Sequence, residues 1–181
     1  ASLPSALNPN TGYVQACGGP PWACTDDAPL DPAAYPAWFI GETDTFRARR
    51  VRQLLRTGTR SFRDMQAMLY DTVVPAASEM TPMLLEMAEA EEKRVSSSHP
   101  DLVTGLKALR DWNYTADTTS TGMTFYHVWW SLLSAKHAAD FPNEGAMYDA
   151  LAAKGGAAVD AALGAATDAA RLMRNDLESV V

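Results

Sequence analysis

A chain of 181 residues, 47% apolar and 20% charged, is long enough to bury one sizeable core and too apolar to remain an extended tail. Fifteen Lys and Arg against 22 Asp and Glu give a net charge of −7, which argues against wholesale attraction to nucleic acid or to an anionic membrane. Two cysteines are too few to complete a structural zinc site, and no run of about 18 apolar residues is present to span a bilayer.

Seven of the eleven prolines fall between Pro4 and Pro36. Proline removes a backbone donor and restricts the residue before it, so residues 1–44 read as an irregular arm without long helix. Gly12, Gly18 and Gly19 permit tight turns there, and one short strand is expected at Gly12 to Ala16, pairing with polypeptide outside this sequence. Cys17 and Cys24 lie in the same stretch, where a local disulfide and two free thiols are both open.

From residue 45 the pattern is helical, and residues 45–181 read as a helical domain. Thr45 to Arg56 carries Phe46, Val51, Leu54 and Leu55 on its apolar side. Ser61 with Asp64 three residues on is a variant capping box opening a stripe of Phe62, Met65, Leu69, Val73 and Ala76. Thr81 followed by Pro82 predicts a cap and first-turn proline, with Met83, Leu84 and Met87 inward, Glu86, Glu89, Glu91 and Glu92 outward, and fraying into Ser96 to Ser98. Asp101 is expected to cap a helix buried through Leu102, Leu106 and Leu109 that runs to Trp112. After a polar connector, Phe125, Tyr126, Val128, Trp129, Trp130, Leu132 and Leu133 cover most of one helix, which predicts the central element. A short helix follows Asn143. The last, after Gly155 and Gly156, carries Val159, Leu163, Ala166, Ala170, Met173 and Leu177 in register, and 11 of residues 150–170 are Ala, which suits close packing. The fold class is therefore mainly α, with six or seven packed helices behind the arm.

Chemistry-bearing patterns are sparse. His127 and His137 lie ten residues apart on one helix, about 15 Å along its axis and too far for one metal, so His127 reads as a satisfied or half-exposed side chain. Seven of fifteen cations lie between Arg47 and Arg63. They either offer a patch to phosphate or an acidic partner or pair with the Glu86 to Glu92 face or with other polypeptide, the second being favoured because few aromatics or glycines interleave them. Cys17 has no histidine nearby in sequence to activate it, and no phosphate-cradling glycine motif occurs.

Asn8-Pro9-Asn10-Thr11-Gly12-Tyr13-Val14-Gln15-Ala16-Cys17-Gly18-Gly19-Pro20-Pro21-Trp22 resembles a stretch of the large subunit of the penicillin acylase family, which includes penicillin amidases and acyl-homoserine-lactone acylases. Phe46 to Val51 with Leu54-Leu55 resembles the Arg-rich helix that follows in that family. Ser61 to Gln66, continuing through Asp71 and Ala76-Ala77, resembles its next helix, and Leu109 to Asn113 is similar to its Leu-x-x-Trp-Asp segment.

The resemblance implies a segment of a larger αββα N-terminal nucleophile hydrolase that cleaves acyl groups from penicillin-like or acyl-homoserine-lactone-like amides. In that family a serine at the start of the large subunit uses its own α-amino group as base, while an Asn side chain and backbone donors hold the oxyanion. Here Ala1 precedes Ser2, so the sequence is expected to be part of the large subunit without the nucleophile, inactive alone, and partnered by the small subunit and the rest of the large one. Gly18 stands where the family has its oxyanion Asn, and a Gly18 or Gly19 N–H is the alternative donor. Tyr13 and Trp22 are the implied substrate-binding positions. No cofactor is required; the family often carries a structural calcium, for which Asp31, among Asp26, Asp27 and Asp31, is the candidate ligand. By family analogy the protein is periplasmic or secreted, with a small-molecule amide as substrate and neither nucleic acid nor membrane as partner. The alternative from a different class is a non-catalytic all-α interaction module using the Arg47 to Arg63 surface.

Overall fold

The computed structural model describes residues 3–27, 30–36, 38, 44–56, 60–93, 95 and 100–178. Ser96 to Ser98, Ala1 and Ser2, on which readings above were made, lie outside the described residues. Seven helices are described: α1 Phe46–Leu55, α2 Phe62–Met68, α3 Pro75–Ala90, α4 Pro100–Arg110, α5 Thr121–Lys136, α6 Glu144–Ala152 and α7 Gly156–Glu178. The expectation of a mainly helical chain holds. No strand forms among the described residues, and the only pairing of that kind is an isolated bridge between Val73 and Thr115. The expected strand at Gly12 to Ala16 is absent: Gly12 sits at φ +74° and closes a turn by donating to Pro9 O at 3.0 Å, and Gln15 N to Cys24 O at 2.8 Å is the other backbone bond the run makes among the described residues.

The chain divides into two compact units, Ala1–Asp71 and Thr72–Val181. The sequence boundary at residue 44 separates irregular chain from helix, whereas the compact units part after Asp71 because the arm is hydrogen-bonded to α1.

In the first unit, Thr45 caps α1 by accepting from Ala48 N, and the Ser61–Asp64 capping box opens α2 as its spacing predicts. The stripe continuing from α2 breaks at Leu69. Phe62, Leu69 and Tyr70 are about as exposed as free side chains, at 80, 81 and 82%.

The second unit is built around α5, as its apolar circumference predicts. Phe125, Tyr126, Trp129 and Leu133 are buried, and α4 and α7 pack on it most closely. Leu102, Leu106 and Leu109 supply the face of α4, and eight residues of α7 (Ala158, Ala161, Ala162, Leu163, Ala165, Ala166, Ala169 and Ala170) supply the third wall. The small Ala side chains let the α7 backbone approach so closely that Trp129 Nε1 donates to Ala162 O at 3.1 Å. A Cβ built on Gly105 would lie 2.1 Å from the Phe125 ring. Gly105→Ala should therefore destabilise the second unit by about 1–3 kcal/mol, measured by urea unfolding, since an overpacked ring contact must be relieved by backbone movement. An unchanged denaturation midpoint would contradict that contact.

Two start signals are corrected. Thr81-Pro82 does not open a helix: α3 starts at Pro75, a favoured first-turn position, so Thr81 is fully buried inside it and Pro82 forgoes one ladder bond. Asp101 does not cap α4 but lies in its first turn, where its carboxylate accepts from Arg174 at 2.6 Å.

Candidate functional site

The arm closes on itself before it meets α1. Asp27 accepts from Asn10 N at 2.7 Å and from Thr25 Oγ1 at 3.1 Å, and the Thr11 and Thr25 hydroxyls bond to each other. Gln15, buried, sends Nε2 to Ala23 O at 2.7 Å. Pro20 and Pro21, with φ preset for a turn, start a short 3-10 turn over Pro21–Ala23 that carries Trp22. The run from Tyr13 to Asp26 is thus one closed loop, bearing Tyr13, Gly18, Gly19 and Trp22 together. Cys17 and Cys24, on the same loop, are free thiols.

Three arginines, two on α1 and one at its C-cap, pin that loop. Arg47 donates through Nε and Nη2 to Cys17 O at 3.2 and 3.0 Å. Arg52, whose side chain is only 10% exposed, donates to Ala23 O at 3.0 Å, to Asp26 at 3.2 Å and through both Nη groups to Asp44 at 2.8 and 2.6 Å. Such forked pairing is what makes burying a guanidinium tolerable. Arg56 reaches both carboxylate oxygens of Asp26, which also accepts from the Tyr13 hydroxyl. The Arg56 hydrogen bond holds the Asp26 carboxyl well below the ordinary carboxylate range against the opposing effect of desolvation, while burial and then Asp26 push the Tyr13 phenol up.

Because the folded-state pKa of Asp26 is depressed, its contribution to arm docking is complete above the unfolded value of 3.8 and is lost as pH falls through the folded one. Protection factors of the amides in residues 10–26, corrected for the intrinsic exchange rate at each pH, should accordingly stay high at neutral pH and fall only below about pH 4. Asp26→Asn should show fast exchange already at neutral pH; equal protection in that variant would mean that Asp26 does not hold the loop.

Gly18 adopts φ +72°, a conformation costly for residues with a side chain, and a Cβ there would lie 2.7 Å from Arg47 Nη2. The turn therefore lies flat against the guanidinium. No hydrogen bond from another described residue engages the N–H of Gly18 or Gly19. Chemically, the arrangement is a turn whose two glycine N–H groups donate to no other described residue and lie beside a fixed positive charge, suited to holding a developing anionic oxygen.

Asp31 stands apart from this loop, capping a second 3-10 turn by accepting from Ala33 N at 2.9 Å. Among the described residues no group of three His, Cys, Asp or Glu could hold a metal ion, so Asp31 has no ligand set around it there. His127 is exposed, and His137 faces Asp140 at 3.3 Å.

Several arginines of the helix and of its end find carboxylates within the first unit. Arg49 and Arg52 pair with Asp44, Arg52 and Arg56 with Asp26, and Arg50 with Asp71 at 2.8 Å, whereas Glu86 pairs with Lys154 and Glu89 with Arg110 at 2.8 Å. Among the described residues these pairings leave Arg47 as the α1 arginine without a carboxylate partner. Sequence reasoning missed Asp26, Asp44 and the separate task of Arg47. The i, i+4 spacing of Arg52 and Arg56 was the available signal, but it names no acceptor.

No curated protein and no solved structure matches this chain. The family model described as Penicillin amidase matches residues 1–180. With essentially its whole length covered, and with the loop that carries the resemblance closed and pinned on its arginine helix, the chain belongs to the penicillin amidase family, whose members are acylase-type hydrolases.

Proposed function

We propose that these residues form the pocket arm and helical buttress of an acylase of the αββα N-terminal nucleophile class, hydrolysing the amide of a penicillin-like or acyl-homoserine-lactone-like substrate. The attacking serine, with its own α-amino group as base, comes from polypeptide outside this sequence. One observation carries the reading: the turn Cys17–Gly19 is clamped through Cys17 O while the N–H groups of Gly18 and Gly19 donate to no other described residue. In this reading the serine hydroxyl adds to the acyl carbon, the oxygen that gains charge is met by a glycine N–H in place of an Asn side chain, and collapse expels the amine. Water then releases the acyl group by the same route. Tyr13 and Trp22 line the acyl side.

Exposed Leu7, Phe62, Leu69 and Tyr70 support the partner half of the reading, since large bare apolar side chains commonly mark surfaces covered by other polypeptide. The small subunit and the rest of the large subunit are the proposed cover, and a periplasmic or secreted location follows the family.

The test compares residues 1–181 with the intact protein on a chromogenic acyl amide. The intact protein should hydrolyse it with a burst of acyl-enzyme, and the isolated chain should not. Hydrolysis by the isolated chain, abolished by a point change within it, would overturn the division of labour; an intact protein inert towards every acyl amide would overturn the acylase reading.

A further inference from the structure

The connector between α4 and α5 contains Asn113-Tyr114-Thr115, the one Asn-x-Ser/Thr triplet among the five asparagines of the chain. Such a triplet is the acceptor pattern for N-linked glycan, provided that the asparagine amide is reachable and the hydroxyl two residues on stands beside it.

Both conditions are met. Asn113 is exposed, and Thr115 folds back onto it, donating to Asn113 Oδ1 through Oγ1 at 2.6 Å and through N at 3.2 Å. Carboxamide and hydroxyl therefore meet on the outer edge of the turn, and Asn113 Nδ2 makes no hydrogen bond to another described residue. What fastens the turn lies behind it: Trp112 Nε1 donates to Thr115 O at 2.8 Å, Val74 N to Tyr114 O at 2.8 Å and Ala116 N to Thr72 O at 2.7 Å. An attachment at Nδ2 would thus leave every backbone bond and the buried Trp112 in place. In front of it opens a polar cleft of about 470 Å³, lined by Asp111, Asn113, Thr115, Asp117 and Thr119, which gives a first sugar room and hydrogen-bonding partners. The positive φ of Tyr114, 61°, closes the turn tightly.

We propose that Asn113 is an acceptor for an N-linked oligosaccharide, delivered from a polyprenyl-diphosphate-linked donor while the chain is being exported. In the transfer, Asn113 Nδ2 forms a bond to the anomeric carbon, the bond from that carbon to the diphosphate oxygen breaks, the lipid diphosphate leaves with the electron pair, and the Nδ2 proton passes to the transferase. In the cell this needs the export half of the reading above; as a property of the chain it does not.

The experiment keeps the two apart by using purified components. The full chain, folded and in parallel relaxed in mild urea, is incubated with a single-subunit oligosaccharyltransferase and a lipid-linked oligosaccharide. Sites are then mapped by mass spectrometry after enzymatic release in ¹⁸O water. One glycan is expected, at Asn113, in the relaxed chain at least, retained in Thr115→Ser and lost in Thr115→Ala and Asn113→Gln. An unmodified Asn113 in both states, beside a control acceptor glycosylated in the same reaction, would overturn the proposal. So would a glycan that persists in Thr115→Ala. Neither result bears on whether the intact protein is an acylase.

Discussion

Arg47→Ala should lower kcat of the intact acylase by about a hundred- to a thousandfold, the loss typical when an oxyanion donor is removed, with KM changing little. The side chain makes no use of its charge in a partner carboxylate. It instead holds one carbonyl, Cys17 O, by two N–H groups at 3.2 and 3.0 Å, immediately before Gly18. Without that clamp, a turn containing two adjacent glycines samples many backbone states, and the glycine N–H groups proposed to hold the reacting oxygen lose their alignment. Arg47→Lys should recover only part of the rate, because an ammonium is a point donor that cannot reproduce the fork. Overall stability should change little, since Arg52 and Arg56 still fix Ala23 and Asp26. Full kcat in Arg47→Ala would remove the turn from the mechanism.

The largest loss of stability is expected at Trp129. It is completely buried on α5, its ring lies 5.7 Å from Tyr126, and its Nε1 donates to Ala162 O. Trp129→Ala should destabilise the second unit by about 3–5 kcal/mol, lowering its Tm by on the order of 10 to 20 °C, from lost transfer energy and the cavity left against alanines too short to fill it. Trp129→Phe restores part of the volume but not the donor, and should fall in between. Thermal melts followed by circular dichroism decide it: a shift of a few degrees for Trp129→Ala would mean that α7 closes onto α5 without the indole.

How much of this was legible beforehand differs by element. Leu102, Leu106 and Leu109 recur at helical spacing and are buried as that spacing implies, because a helix end-stopped by polar residues has one way to hide an apolar stripe. Ser61 and Asp64 announced their own cap, since both partners lie within one turn. Thr81-Pro82 misled because the same pair serves equally inside a longer helix begun at Pro75. Whether a proline opens or interrupts a helix depends on residues six and seven positions earlier.

At the candidate site the division is sharper. Residue order alone determined that the arm could not be a long helix, that Gly18 lacks a side-chain donor, and that the chain resembles the family whose model covers it; these follow from covalent constraints and local motifs. Only tertiary structure decided that Asp26, Asp44 and Asp71 pair with Arg49, Arg50, Arg52 and Arg56, and that Arg47 grips a carbonyl. Charge complementarity is satisfied by any acid that comes within about 4 Å, so distance and angle in three dimensions, which no spacing along the chain encodes, choose the partner.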